Sequence, residues 1–339
     1  MSAPPDDAMT EELLGAYALD ACDDDETAAV EALLARRPDL ATEAARLANA
    51  AVWVGAAEAL EAPTELRGSV LARARARRAD ESLDGPLRAY MASTERLEDT
   101  IDTLVAPDLG EPTANGLDVG DLVVHLAAQE SLLAQSIGAS PVPEVDEVED
   151  PARTAAMVER FADRPLDEVR AMWRQSVDAV QAWASDPATR TTTLQWLQFE
   201  LPRDNVLVAR AFENWIHRDD LRVACGRVSE PPPAVELHEM ADLSLRTLPM
   251  GLLASGRSRP GKSARLILTG PGGGEWAVAM GGEVLPSDAV PDVTVTADLI
   301  AWCRLAGERI SAEDLELTIE GDHALAADLV AAAPAFATL

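Results

Sequence analysis

Apolar residues recur at helical spacing along the first two thirds of the chain, and alternate strictly with polar ones only in the last third. In TEELLGAYALDA, Leu13, Leu14, Tyr17 and Ala18 share one helical face, and Thr10 suits the N-cap. The carboxylates Asp23 to Glu26 open a second helix, where negative charge favours the positive end of the dipole, and Pro38 ends it. ATEAARLANAAVWVGAAEAL and the basic LRGSVLARARARRA predict two further helices, followed by ADESLDG as a linker or a new helix cap. Residues from about Glu11 to Ala79 therefore predict a small helical unit.

From about Leu83 to Val228 the pattern predicts four long helices: PLRAYMASTERLEDTIDTLV, VGDLVVHLAAQESLLAQSI, DEVRAMWRQSVDAVQAWAS and NVLVARAFENWIHRDDLRVACG. PVPEVDEVEDP is a Pro- and acid-rich loop between the second and third, TTTLQWLQFELP a strand-like or turn segment before the fourth, and Gly226 suits the C′ position that closes it. Four helices with one long crossover make a bundle whose core can hold a metal. The tail changes character: a helix around AVELHEMADLSLRTLPMGLLA, strands ARLILTG and EWAVAM around the turn PGGG, strand PDVTVTA, helix DLIAWCRLAG, strand LELTIEGD and helix ALAADLVAAA. The expected fold is mainly α: a helical domain over 1–80, a four-helix bundle over 81–228, and an α+β domain over 229–339.

Composition narrows the function classes. A hydrophobic content of 47% with only 4% aromatic residues describes an Ala/Leu/Val-rich, mostly helical globular protein. The formal net charge of −31 in 339 residues disfavours direct contact with nucleic acid, because phosphates are repelled. The same charge suits a basic protein partner, or simply a solvated acidic surface. The short arginine stripe Arg73, Arg75, Arg77 and Arg78 fits a solvated helix end or an intramolecular partner. Cys22, Cys225 and Cys303 are scattered and form no C-x-x-C pair, as in a reducing cytoplasm, and Cys22 reads as a small core residue. The acidic MSAPPDDAMTEE lacks the basic and apolar regions of a secretory signal, and no apolar run approaches the roughly 20 residues that span a bilayer. A cytoplasmic location, with no membrane contact, follows as the expectation.

The candidate chemistry lies in the predicted bundle. His125 sits between Leu122 and Leu126 and faces inward, while Glu213 and His217 project from one face of another helix, one turn apart. Three N/O donors suit zinc or a similar divalent ion and leave a fourth position open to water or a thiol. Spacing alone also allows a hydrogen-bonded Glu213–His217 pair beside a satisfied core histidine. Asp219 or Asp220 can accept a ring N–H behind a ligand. Gly256 to Ser263 satisfies G-x-x-x-x-G-K-S, but a helix precedes it and an alternating strand follows, so the phosphate-binding geometry is missing. Arg257, Arg259 and Lys262 suit substrate carboxylates or are loop charges, and His238 and His323 read as surface or cap residues.

LDVGDLVVHLAAQE and FENWIHRDDLRVACG together resemble the metal-binding DinB-like domain of mycothiol-dependent maleylpyruvate isomerases. RLILTGPGGGEWAV, VTVTADLIAWCRLAGERI and LELTIEGDHALAADLV follow the order of that family's sterol-carrier-like C-terminal domain. The resemblance runs from about Leu83 to the C-terminus. It implies that His125, Glu213 and His217 are the ligands of a divalent metal, zinc foremost, that the metal binds the thiolate of mycothiol, and that the thiol adds to a cis double bond and leaves after rotation. Thiol transfer at the same site is the related activity.

EELLGAYALDACDDDETAAVEALLARRPDLATEAARL resembles the N-terminal domain of actinobacterial anti-sigma factors. Leu33, Arg37 and Leu40 stand where the zinc-bearing branch has its ligands, so the likeness is to the zinc-free branch and implies an extracytoplasmic-function sigma factor as partner. The first expectation is accordingly a soluble anti-sigma-factor-like transcription regulator whose isomerase-like domain senses a thiol or small ligand. The alternative is a mycothiol-dependent isomerase or S-transferase with a structural N-terminal unit.

Overall fold

The computed structural model describes residues 10, 13–19, 21–37, 40–41, 43–44, 46–47, 84–139, 150–161, 164–196, 199–282 and 290–338. The chain divides into two units, Met1–Arg77 and Arg78–Leu339. The second holds both the helices expected over 81–228 and the α+β part expected over 229–339.

In the first unit α1 spans Leu14–Ala18 and α2 spans Asp24–Arg36. The acidic run that opens α2 acts through a capping box. The Asp23 carboxylate accepts from the Glu26 N–H at 2.8 Å, and Glu26 accepts from the Asp23 N–H at 3.0 Å. Leu14, Val30, Leu33, Leu40 and Ala44 form the small core of this unit. Leu33 and Leu40 are therefore packing residues, and Arg37 is the exposed C-cap of α2. Cys22 is half-buried, its thiol 4.0 Å from the Leu13 carbonyl oxygen. Most of ATEAARLANAAVWVGAAEAL, all of LRGSVLARARARRA with its arginines, and most of the loop PVPEVDEVEDP lie outside the described residues.

The second unit begins with α3 (Gly85–Ile101), capped by Asp84 from the ADESLDG segment. It continues through α4 (Val119–Ser136), α5 (Asp150–Phe161) and α6 (Leu166–Ala184). The short hairpin of β1 (Thr193–Trp196) and β2 (Phe199–Pro202) leads into α7 (Arg203–Ala224), and Gly226 follows in the left-handed region at φ 67°. Helix α7 packs along α3, and α4 packs along α6 and α5. Helix α5 is an addition to the four expected helices, overlapping the expected loop PVPEVDEVEDP only at Asp150 and Pro151. Thr154, Met157 and Phe161 fall at i, i+3 and i+7 and are all buried, a helical stripe that the Pro- and acid-rich run before it obscures.

The C-terminal part comprises α8 (Ala234–Ala254), β3 (Ser263–Thr269), β4 (Gly274–Ala279), β5 (Val293–Asp298), α9 (Leu299–Ala306), β6 (Thr318–Gly321) and α10 (His323–Ala332). Its strands form one sheet in the order β4-β3-β5-β6, with β3 and β5 parallel and the other pairs antiparallel. The fold is thus mainly α with a C-terminal α+β region.

Helix α7 belongs to both parts. Its Val208, Ala211, Phe212, Trp215 and Ile216 are buried in the same apolar cluster as Leu237 and Met240 of α8 and Leu266 and Val295 of the sheet. Val206 and Leu207 enter a second cluster, with Leu87, Tyr90 and Leu133, and Leu221 a third, with Leu122 and Trp173. Each large apolar side chain so buried contributes about 2 kcal/mol of transfer free energy, which fixes the rotation of α7. With its apolar residues claimed in this way, Arg210, Glu213 and His217 are left to face α4.

Candidate metal centre

Helix α4 carries His125, and α7 carries Glu213 and His217 one turn apart. The structure brings them together. One donor atom from each lies within 4.8 Å of the others, and among the described residues no other group of three His, Cys, Asp or Glu side chains is so placed. His125 Nε2 is 3.3 Å from Glu213 Oε1, and His217 Nε2 is 3.9 Å from the same oxygen. The rings meet edge to face, with centroids 5.1 Å apart. The His125 and His217 side chains are each 11% exposed and that of Glu213 is 26% exposed.

Each imidazole is held by its other nitrogen. His125 Nδ1 is 2.9 Å from Thr154 Oγ1 of α5, and His217 Nδ1 is 3.1 Å from Asp220 Oδ2. A neutral imidazole that offers the Nε2 lone pair carries its proton on Nδ1, and both rings have an oxygen placed to accept it. Burial holds His217 below the usual histidine range despite the opposing pull of Asp220, which favours the neutral form a ligand needs.

Asp220 is itself fixed from the C-terminal part. Arg309 Nε donates to Asp220 Oδ1 at 2.7 Å, Arg309 Nη2 donates to Oδ2 at 2.5 Å, and Nη1 donates to the Gly307 carbonyl oxygen at 2.6 Å. Burial acts to raise the Asp220 carboxyl, but His217 and Arg309 together hold it below its ordinary range. The approach depends on the end of α9. A Cβ on Gly307 would meet the Ile216 side chain at 3.1 Å, and Glu308 takes a left-handed φ of 59°. The Arg309 N–H then bonds back to the Arg304 carbonyl at 2.7 Å and the Glu308 N–H to the Leu305 carbonyl at 3.0 Å, a Schellman closure that aims Arg309 at α7. Asp219 faces elsewhere, bonding Ser229 and lying 3.6 Å from Arg304.

Glu213 has a charged neighbour on its own helix, Arg210, which donates to Oε2. Burial works to raise the Glu213 carboxyl, yet Arg210 and the two histidines hold it far below the usual range, so it is an anion. Donors around a tetrahedral zinc ion at about 2.1 Å sit about 3.4 Å apart. The separations of 3.3 and 3.9 Å between the imidazole nitrogens and Oε1 are close to that spacing. Two imidazoles and one carboxylate therefore fit a divalent ion with an open position.

The remaining candidates are engaged elsewhere. Lys262 pairs with Asp292 at 2.7 Å, and Arg259 with Asp328 at 2.8 Å, the latter beside Arg257 at 3.9 Å. Helix α8 precedes Gly256 and strand β3 begins at Ser263, so that segment is no phosphate loop. His238 is exposed and its Nδ1 lies 2.9 Å from the Gly272 carbonyl oxygen, while His323 starts α10 behind its cap Asp322. A broad open cavity of about 560 Å³ is lined by Leu305, Arg309, Ile310, Asp314 and Pro334 among others, and the triad does not line it. Sequence reasoning missed Thr154, Arg210, Glu130 and Arg309. Arg210 sits at i−3 from Glu213, between the apolar Val206 to Ala209 and Ala211 to Phe212, which was a readable signal.

Among the described residues no helix is long and apolar enough to cross a membrane. No curated protein matches the chain. Among solved structures, the chain is similar to the crystal structure of the mycothiol-dependent maleylpyruvate isomerase, with 19% identity, a TM-score of 0.48, and coverage of 70% of this chain and 95% of that one. A mutant of that enzyme gives 18% identity and a TM-score of 0.47 over the same shares. Residues 90–222 match a sequence family, and that family is an isomerase domain rather than a regulator. This corrects the expectation of a soluble anti-sigma-factor-like regulator, because the triad lies wholly inside the matched segment. The family matched over residues 90–222 is the mycothiol maleylpyruvate isomerase N-terminal domain.

Proposed function

We propose that the chain is a metal- and mycothiol-dependent enzyme, an isomerase of the maleylpyruvate type, working at His125, Glu213 and His217. The observation that carries this reading is the convergence of two imidazole Nε2 atoms on Glu213 Oε1 while each Nδ1 is held by its own partner. The family match over 90–222 supports the choice of thiol and substrate.

His125, Glu213 and His217 would hold a divalent ion, zinc being suited to two nitrogens and one oxygen. When bound, the ion supplies a positive centre that lowers the pKa of a thiol docked against it. The protein's own groups orient that centre. Thr154 and Asp220 keep the imidazoles turned, burial keeps His217 neutral against the pull of Asp220, and Arg309 keeps Asp220 ionised. In the isomerisation the sulfur adds to one carbon of the cis double bond and a proton to its neighbour. The new single bond rotates, and elimination of the same thiol and proton leaves the trans isomer, with no net consumption.

Turnover of maleylpyruvate by metal-replete protein in the presence of mycothiol, followed by absorbance and by product analysis, tests this. The expected result is isomerisation that needs catalytic thiol and disappears in a folded His125→Ala variant. Absence of turnover in replete protein counts against the isomerase. Consumption of thiol in proportion to an acceptor moves the same site to S-transfer.

A further inference from the structure

Behind Glu213 runs a line of fully buried polar groups. Tyr90 of α3, Glu130 of α4 and Arg210 of α7 are each 0% exposed. The Tyr90 hydroxyl donates to Glu130 Oε1, Arg210 Nη2 donates to Glu130 Oε2 at 3.1 Å, and Arg210 Nη1 donates to Glu213 Oε2. The guanidinium carbon also lies 6.0 Å from the centre of the Trp196 ring in β1. Burial raises Tyr90 well above the usual phenol range, with Glu130 adding to it, so the hydroxyl stays a donor. Burial disfavours the charged form of Arg210, but Glu213 and Glu130 more than offset it. Taking ions this deep costs several kcal/mol each, of order, and apolar residues of like size would stabilise the bundle at least as well. The line therefore calls for a reason beyond packing.

We propose that Arg210, anchored by Glu130 and Tyr90, is a positioning residue that restricts Glu213 to a single donor oxygen. The proposal rests on the metal reading above. Arg210 engages Oε2, while Oε1 is the oxygen that faces both histidines. An oxygen bonded to a guanidinium cation is poorly placed to serve a dication as well, since the two cations repel. A carboxylate released from that bond is free to chelate through both oxygens, and the second oxygen would then occupy the position a thiol needs. Glu130 matters because it fixes the far arm of the guanidinium fork, and Tyr90 because it fixes Glu130.

Cobalt(II) reports this directly, because its visible absorption weakens as its coordination number rises. Metal-free full-length protein is titrated with cobalt, then with 2-mercaptoethanol, following the visible bands and the sulfur-to-cobalt charge-transfer band. The comparison includes Arg210→Met and Glu130→Gln, each checked for folding by far-ultraviolet circular dichroism. The expected result is that the variants bind cobalt with severalfold weaker visible bands and need on the order of tenfold more thiol for the charge-transfer band. A folded Arg210→Met with the band intensities and thiol response of the unaltered protein overturns the proposal. Should Arg210→Met not fold, Glu130→Gln, which preserves shape, decides by the same readout. Unaltered protein that gives no cobalt bands overturns the metal reading itself, an outcome distinct from bands that all variants share.

Discussion

Thr154 Oγ1 faces His125 Nδ1 at 2.9 Å, so α5 holds the imidazole whose other nitrogen points to Glu213. Partners of this kind fix the ring and its tautomer, and their loss typically costs 10–100-fold, roughly, in metal affinity. Thr154→Val removes the acceptor while keeping the volume, and its zinc affinity by chelator competition should fall by about that factor. Thr154→Ser should restore most of it. Equal affinities in all three proteins would show that the hydroxyl does not orient the ligand.

A metal that binds only the folded state stabilises it by mass action, about 2.7 kcal/mol when free metal is 100-fold above its Kd. The melting temperature of metal-replete protein should therefore drop on adding chelator, while Glu213→Ala and His217→Ala respond weakly. An equal drop in all three would place the metal elsewhere.

Asp84 joins two tasks, capping α3 through the Leu87 N–H at 3.0 Å and pairing with fully buried Arg203, whose Nη2 reaches its two oxygens at 2.9 and 2.8 Å. Burial works to raise its carboxyl, but Arg203 and the cap hold it below the ordinary value of 3.8. The folded pKa is the lower one, so the stabilisation is complete above the unfolded value and is lost as pH falls through the folded value. Asp84→Asn should cost about 2–3 kcal/mol near neutrality, less than for a fully buried pair because the Asp84 side chain is 22% exposed and Asp204 remains 3.4 Å from Arg203. Urea midpoints taken from about pH 6 downward should converge for the two proteins once Asp84 protonates. Parallel curves would mean that the pair does not titrate in this way.

Much of the architecture was legible because its periods are clean. The alternation in ARLILTG and PDVTVTA and the helical stripes of α4 and α7 each match one element of the fold. The parallel pairing of β3 with β5 was not legible, since alternation fixes which face is buried but not which strand lies alongside. At the candidate site, i,i+4 spacing placed Glu213 and His217 together, but nothing local could say that His125 would meet them. Thr154 and Arg309 were out of reach for the same reason. They arrive 29 and 89 residues away from their partners His125 and Asp220, on a short helix beside a Pro-rich run and on a loop whose aim depends on a left-handed Glu308.

Helix α7 has a consequence for how this protein can be dissected. The family segment ends at residue 222, yet Phe212, Trp215 and Ile216 are buried against α8 and the sheet, and Arg309 lies far beyond that limit. A fragment cut at the segment boundary would bare three large apolar side chains and leave Asp220 without its guanidinium. The recognisable sequence segment is therefore smaller than the piece that can fold with an intact site, and any exchange of C-terminal parts between relatives would carry the orientation of His217 along with it.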